Sequence, residues 1–177
     1  MEQKLTAKQV REAIDRLYGQ VLDHLPNDAA VAVIGIRTRG ETLAGRIVSR
    51  LEADRPDRTV RYGVLDITFY RDDLSRRRGA PLVRATEIDF DLDDTWVLLV
   101  DDVLQTGRSV RAALDALADF GRPRIVRLVA LVDRGGRELP IAADFVGERV
   151  DAAPGSRVQV RLEETDGTEG VFILPQD

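Results

Sequence analysis

The chain contains no cysteine among its 177 residues, which excludes disulfide bonds and thiolate metal sites and fits a reducing compartment. It also has no apolar run long enough to cross a bilayer, and no apolar stretch follows the opening Met-Glu-Gln-Lys, so we expect neither a membrane span nor a secretory signal. There is no excess of positive charge, because the formal net charge is −5. That total argues against a broad nucleic-acid-binding surface but allows a local basic patch. We therefore expect a cytoplasmic protein.

The most informative segment runs from Trp96 to Ser109. Its apolar part, Trp96 to Val100, does not alternate and predicts a buried parallel strand. Asp101 and Asp102 follow at the end of that strand, and a helix is predicted to begin at Ser109. A loop between a strand and a helix N-terminus gathers backbone N–H groups and the helix dipole, which suits a phosphate. The two acids would repel phosphate, so they indicate a sugar or a divalent cation bound beside it. The segment predicts a site for a phosphorylated sugar.

Adjacent acids at a strand end have other interpretations. They can form a solvated cap, the acidic end of a nucleotide-hydrolase strand, or the phosphoacceptor of a receiver domain. The chain has no Gly-x-x-x-x-Gly-Lys-Ser/Thr loop, which removes the P-loop interpretation. Receiver domains need a further acidic pair at a strand end near the chain start, and none is present. The Thr-Gly-Arg-Ser sequence that follows the acids favours a ligand-binding role.

The remaining pattern alternates helices and strands. Thr6-Ala-Lys-Gln9 resembles a capping box that opens an amphipathic helix. Strands are predicted over residues 30–36, 59–67 and 125–132, and a second helix follows residue 40. Beyond Pro140 come short strands at 145–146, 158–162 and 171–174, the last two joined as a hairpin. We predict a single domain over residues 1–177, with a mainly parallel sheet flanked by helices and a small C-terminal β cap.

The segment from Trp96 to Ser109 resembles the phosphoribosyl diphosphate (PRPP) motif of type I phosphoribosyltransferases. Three further stretches, 33–40, 65–74 and 131–141, resemble in order the PyrR family of pyrimidine operon regulators that are also uracil phosphoribosyltransferases. The resemblance covers most of the chain. It implies the type I phosphoribosyltransferase fold and Mg²⁺ as cofactor. It further implies conversion of uracil and PRPP to UMP and pyrophosphate, binding of UMP or UTP, binding of leader mRNA, and a homodimer or higher oligomer.

The resemblance also implies site residues. Asp101 and Asp102 would hold the ribose hydroxyls, directly or through Mg²⁺, and with Arg39 they are the catalytic candidates. Pyrophosphate would be bound by Thr38, Arg39, Gly40 and Arg71, with Asp66 as a secondary candidate. The uracil edge would be read by Val132, Asp133 and Arg134. The PRPP and phosphate contacts would come from Val97, Leu98, Leu99, Val100, Asp101, Asp102, Val103, Leu104, Gln105, Thr106, Gly107, Arg108 and Ser109.

Two loops near these residues also have structural interpretations. The segment 37–40, Arg-Thr-Arg-Gly, could be a turn with two solvated arginines, but its place between a strand and a helix start favours a diphosphate site. The charged, turn-rich segment 71–81 could be a solvated loop. We expect it to be a mobile lid, because an oxocarbenium-like centre at the ribose must be kept from water.

One departure from related enzymes bears on the base. Purine-specific type I enzymes carry an Asp at the position of Gln105, where it exchanges a proton with the purine ring. Gln cannot act as a general acid or base. The N1–H of uracil is acidic enough to need little such help, so Gln105 favours a pyrimidine, although PyrR relatives usually carry Tyr at this position.

Other departures concern RNA. The family's basic face would retain Arg16, Arg134 and Arg137. At five other positions of that face, this chain has an acidic or neutral residue in place of the one that the family usually carries. These residues are Asp15, Gly19, Gly136, Ala142 and Glu148. Loss of phosphate contacts weakens nucleic-acid binding strongly. We predict that uracil transfer is retained and that RNA binding is weakened or uses a different face. The alternatives are an attenuator that uses the UMP site as a sensor, and a salvage enzyme for another base.

Overall fold

A five-stranded parallel sheet forms the centre of the molecule. Its strands lie in the order β3 (Val60–Leu65), β2 (Val31–Ile36), β4 (Trp96–Leu104), β5 (Ile125–Asp133) and β6 (Phe145–Arg149). The structure is a computed structural model that describes residues 1–72 and 85–175. Short 3₁₀ turns lie at Thr68–Tyr70 and Ala118–Phe120. The strands and helices are β1 (Glu2–Leu5), α1 (Ala7–His24), β2 (Val31–Ile36), α2 (Arg39–Asp54), β3 (Val60–Leu65), β4 (Trp96–Leu104), α3 (Arg108–Leu117), β5 (Ile125–Asp133), β6 (Phe145–Arg149), β7 (Arg157–Arg161), α4 (Glu163–Asp166) and β8 (Gly170–Leu174).

The two faces of the sheet are covered by different helices. Alternate residues of β4 point to opposite faces, so Leu98 packs with α1 and α2 while Leu99 packs with α3. Both side chains are fully buried, as is every residue of β2. Strands buried on both faces contain continuous apolar runs, which is the pattern that the sequence presents. The predicted α/β class is confirmed.

Helix α1 begins as its sequence predicts. The Thr6 backbone N–H donates to Gln9 Oε1 at 2.9 Å, and the Gln9 backbone N–H donates to Thr6 Oγ1 at 3.4 Å. This capping box satisfies two donors that the first helical turn would otherwise leave unpaired. Among the described ranges, no helix combines the length and the apolar character needed to span a membrane.

A second, antiparallel sheet of order β1-β8-β7 forms the small β cap. We call β1, β7, α4 and β8 together the hood. The predicted hairpin is confirmed as β7 and β8, and α4 fills the turn between them. Two assignments were incomplete. The N-terminal strand β1 was not predicted and joins the hood, and β6, predicted as part of the C-terminal β tail, is instead the edge strand of the main sheet.

Candidate active site

The loop of residues 105–109 connects β4 to α3 and has the form of an anion site. The backbone oxygen of Thr106 accepts from the N–H groups of Glu138 at 3.0 Å and Leu139 at 3.1 Å, which fixes the loop. Within the described part of the chain, the N–H groups of Thr106 and Gly107 donate to no protein acceptor. Gly107 has φ +92° directly before the first turn of α3. Free N–H groups at a helix N-terminus make a phosphate-binding position.

Glycine at position 107 is required for two reasons. Its backbone lies in the left-handed region, which strains residues that carry a Cβ. A Cβ there would also lie 3.3 Å from Cβ of Ile141 and 3.4 Å from Cβ of Leu139. The loop therefore keeps its shape only with glycine at this point.

Asp101 and Asp102 lie within the last part of β4, which extends to Leu104 and past the predicted strand end. Asp101 Oδ1 accepts from the Asp102 N–H at 2.9 Å, and Asp102 Oδ1 accepts from the Val103 N–H at 2.9 Å. Burial raises the pKa of Asp101 well above its usual range, and the neighbouring Asp102 charge raises it further. Burial also raises the pKa of Asp102, while the positive charge of Arg39 opposes that shift. In the described residues no basic side chain forms a salt bridge with either acid, so hydroxyl donors or a cation would stabilise the pair.

The loop at residues 37–40 lies against the same strand. The Arg37–Thr38 peptide bond is cis, and α2 begins at Arg39. A Cβ on Gly40 would lie 2.4 Å from the backbone oxygen of Val100, so only glycine permits this close approach. The approach brings Thr38 and Arg39 to the strand that carries the two acids.

The two arginines of this loop have different partners. Arg37 donates to Glu41 at 3.0 Å, to Glu87 at 2.6 Å and to the backbone oxygen of Ala85 at 3.0 Å. Arg39 instead forms a bidentate ion pair with Asp166 of the hood. Arg37 thus fastens the loop to the segment after residue 84, and Arg39 stays at the cavity wall.

These parts enclose two adjoining cavities of about 690 and 330 Å³. Both are lined by Thr38, Arg71, Asp101, Asp102 and Ser109. The predicted residues that line at least one cavity are Thr38, Arg39, Asp66, Arg71, Asp101, Asp102, Val103, Leu104, Gln105, Thr106, Gly107, Arg108 and Ser109. The structure therefore gathers the predicted ribose, phosphate and diphosphate positions in one place.

Some predicted residues lie beside the cavities without lining them. Val97, Leu98, Leu99 and Val100 are fully buried in the core, so their side chains are the scaffold of β4. Gly40 lies behind the cavity wall against β4.

The residues predicted to read the base also line neither cavity. Val132 is fully buried, and Asp133 forms an ion pair with Arg137 at 2.7 Å. Arg134 donates from its backbone N–H to Leu104 at 3.1 Å and from its side chain to the backbone oxygen of Ser156 at 2.6 Å. They lie at the end of β5, next to the phosphate loop, and their role in base recognition stays a prediction.

Eight residues that line the cavities were not predicted as site residues. Ile36, Arg37, Ile67, Thr68 and Val110 adjoin predicted residues in the sequence. Glu138, Arg157 and Val158 complete the wall on the side of the hood. Glu138 lies within the stretch 131–141 that carried the family resemblance, which is the only signal the sequence offered. The alternation of the 158–162 strand did not reveal which face would meet the phosphate loop, because that depends on how the hood folds back.

Residues at the start of the predicted lid contact the phosphate loop. Arg71 donates to Ser109 Oγ at 2.7 Å, and Asp72 accepts from Arg108 at 2.5 Å. Arg108 also donates to Glu138 at 2.7 Å. The rest of the predicted lid, residues 73–81, lies outside the described residues.

The three arginines predicted to bind RNA each donate hydrogen bonds within the chain. Arg16 donates to Glu148 at 2.7 Å and to the backbone oxygen of Gly147 at 3.1 Å, beside β6. Arg137 donates to the carboxylate of Asp133 and to the backbone oxygens of Gln105 and Ile141. These arginines are occupied by partners within the chain.

Comparison with known proteins places the chain in a family. Residues 2–165 match the phosphoribosyl transferase domain family. A protein of Roseiflexus sp. (strain RS-1) named Bifunctional protein PyrR is 52% identical, covering 98% of this chain and 94% of the relative. The protein of the same name from Deinococcus radiodurans is 48% identical, with 98% and 94% coverage. The chain belongs to the PyrR family of phosphoribosyltransferases. The family predicted from the sequence motifs is confirmed.

A solved structure agrees with this fold. The hypoxanthine phosphoribosyltransferase of Trypanosoma cruzi superposes with a TM-score of 0.69 at 18% identity, covering 100% of this chain and 98% of that one. At that identity the likeness concerns the fold, and the predicted type I phosphoribosyltransferase architecture is confirmed.

Proposed function

We propose that the protein is a uracil phosphoribosyltransferase that converts uracil and PRPP to UMP and pyrophosphate. One observation carries this proposal. A single cavity region brings together a free anion-binding loop, two adjacent acids and an arginine at the start of α2. A ribose that carries a 5′-phosphate and a 1-diphosphate presents complementary groups to all three.

Each part has a chemical task in the transfer. The N–H groups of Thr106 and Gly107, with the Ser109 hydroxyl, hold the 5′-phosphate. Asp101 and Asp102 accept hydrogen bonds from the ribose hydroxyls. As N1 of uracil bonds to C1 of the ribose, the bond from C1 to the diphosphate oxygen breaks and its electron pair leaves with the diphosphate. The N1 proton passes to solvent water. Arg39 stabilises the negative charge that grows on the departing diphosphate.

The acids also suit Mg²⁺. The adjacent carboxylates are hard oxygen ligands, and they form no salt bridge with described residues. No group of three or more metal-ligating side chains occurs in the described part of the chain, which fits an ion held largely by substrate oxygens and water. When bound, Mg²⁺ neutralises the diphosphate and orients it. Asp101 and Asp102 would hold the ion through the ribose or through water.

The lid and the base site follow from the same proposal. Arg71 is placed at the phosphate loop, where it can change partner from Ser109 to pyrophosphate when the segment 71–81 closes. Gln105 at the cavity wall favours a pyrimidine, because it cannot exchange a proton with a purine ring. Val132, Asp133 and Arg134 would present backbone groups to the uracil edge.

The direct test is pyrophosphate release from PRPP and Mg²⁺ across uracil, cytosine, hypoxanthine, guanine and adenine. We expect release with uracil alone. Pyrophosphate release with a purine would contradict the proposal. Release that is faster without any base than with uracil would contradict it as well. The double variant Asp102→Asn, Arg39→Ala should keep its fold and lose turnover, and full activity in that variant would refute the site assignment.

We further propose a weak regulatory role. Relatives carry the name Bifunctional protein PyrR, and the family's second activity is UMP- or UTP-dependent binding of pyrimidine operon leader mRNA. Glu148 neutralises Arg16 in this chain, so we expect RNA binding to be weakened. Residues 1–177 would act as one domain, in a cytoplasmic homodimer or higher oligomer.

A further inference from the structure

The Arg39–Asp166 ion pair crosses from the start of α2 to the hood. Arg39 Nε donates to Asp166 Oδ2 at 3.0 Å, and Nη2 donates to Oδ1 at 2.6 Å. The two side chains are only 24% and 15% exposed, so water screens the pair weakly. A two-pronged, charge-assisted pair fixes direction as well as distance. The pair therefore sets the orientation of the guanidinium at the cavity wall.

Asp166 is itself held firmly. Its Oδ2 accepts from the Leu162 N–H at 2.9 Å, and its backbone N–H donates to the Leu162 oxygen at 2.8 Å. Leu162 is fully buried, and Gly167, with φ +64°, caps the C-terminus of α4. The carboxylate thus belongs to a tight turn that is anchored in the core. Because Arg39 is paired with this carboxylate, the position of its guanidinium is fixed as well.

The pair leaves Arg39 able to bind another anion. A guanidinium has five N–H donors, and Asp166 uses two of them, so three remain. The charges of two carboxylates, Asp166 and Asp102, both raise the pKa of Arg39, after the larger effect of its hydrogen bonds to Asp166. Asp102 must accept hydrogen bonds from ribose in the proposed reaction. If Asp166 were lost, the attraction of Arg39 for Asp102 would be unopposed.

We propose that Asp166 is a positioning residue that acts from the hood, holding Arg39 toward the diphosphate and away from Asp102. This inference rests on the proposed function. Asp166 lines neither cavity, so it acts through Arg39 and not on substrate. The hood thereby contributes to the reaction with a residue 127 positions away from the arginine that it holds.

The test compares Asp166→Asn with a matched control, Glu164→Gln. Glu164 lies in the same helix and forms a similar two-pronged pair with Arg46, at 2.8 and 2.6 Å, but lines neither cavity of the site. With saturating uracil, we expect kcat/KM for PRPP to fall about 100-fold in Asp166→Asn, as misplacement of a reacting-site group does. Glu164→Gln should keep the wild-type value.

Two measurements distinguish a positioning role of Asp166 from an effect of its substitution on the stability of the hood. A destabilised hood lowers the fraction of active protein, so kcat falls while the KM for PRPP is unchanged; mispositioned Arg39 also raises that KM. In an Arg39→Ala background, Asp166→Asn should cause no further loss. If Asp166→Asn does not fold, Asp166→Glu keeps the charge but displaces the carboxylate, and it should raise the KM to a smaller extent.

The possible results are distinct. Wild-type kinetics in Asp166→Asn, an equal loss in Glu164→Gln, or additive losses with Arg39→Ala would each overturn the inference. If the wild-type protein does not consume PRPP with uracil, the proposed function fails and the inference fails with it. If the wild type turns over and Asp166→Asn matches it, the inference alone fails.

Discussion

Asp101 is buried and Asp102 is partly exposed, and these two carboxylates determine the pH range in which the site can work. Burial raises both pKa values, so each carboxylate is harder to ionise in the folded chain than in the unfolded chain. Their proposed role requires the ionised form, which accepts from ribose hydroxyls. Function and stability therefore depend on pH in opposite directions at this pair.

The first prediction concerns rate against pH. As the pH falls through the raised pKa values, the acids become protonated and kcat/KM for PRPP should fall. The decline should begin at higher pH than for an ordinary Asp, whose pKa is about 3.9. Initial rates in buffers of constant ionic strength give the profile. If kcat/KM stays constant until the pH reaches the range in which an ordinary Asp titrates, the pair is not needed in its ionised form.

The second prediction concerns stability. Because the pKa of Asp101 is raised on folding, its charge destabilises the folded protein at neutral pH, and this penalty disappears as the pH falls through the raised pKa. Asp101→Asn should therefore stabilise the free protein by about 1 kcal/mol at neutral pH and abolish transfer. Denaturant unfolding at neutral and acidic pH measures the difference, which should shrink in acid. A less stable variant at neutral pH contradicts this account.

At the scale of elements, local patterns predicted the parts of the site that are close in sequence. The unbroken apolar run of β4, the two acids and the following helix needed no distant partner to be recognised. The pairing of β1 with β8 joins residues more than 160 positions apart, and Arg39 meets Asp166 only because the hood folds back. Such contacts depend on tertiary packing, which periodicity does not specify.

The third prediction uses two glycines in helices. Gly40 in α2 approaches β4 so closely that a Cβ would lie 2.4 Å from a backbone oxygen. Gly19 in α1 has open space, with nothing within 4 Å of an added Cβ. Gly40→Ala should cost about 1–3 kcal/mol by overpacking and weaken PRPP binding. Gly19→Ala should stabilise by about 0.5–1 kcal/mol through helix propensity. Urea unfolding measures both, and equal effects would contradict the close approach of α2 to β4.

Across the whole molecule, the sequence predicted the residues of the cavity better than the contacts of the surface. The cavity gathers most of the predicted ribose and phosphate residues, because the ends of parallel strands meet at one edge of the sheet. The predicted RNA-binding arginines came from the family resemblance, and the fold gives Arg16 and Arg137 each a partner within the chain. Surface partners of this kind cannot be read from residue types alone.

The fourth prediction concerns RNA. In a gel shift with a pyrimidine operon leader at moderate salt, the wild-type chain should bind weakly with or without UMP. Glu148→Arg frees Arg16 from its ion pair and adds a cation, so it should tighten binding by about tenfold at low salt. The gain should decrease as salt rises. Tight, UMP-enhanced binding by the wild-type protein contradicts the predicted weakening.

In the proposed reaction the loop after the paired acids holds the 5′-phosphate of PRPP. Crystals soaked with PRPP and Mg²⁺, without a base, would show where each phosphate binds. We expect the 5′-phosphate within hydrogen-bonding distance of the N–H groups of Thr106 and Gly107, with the ribose hydroxyls at Asp101 and Asp102. PRPP bound elsewhere on the chain, or with its diphosphate in that loop, would contradict it.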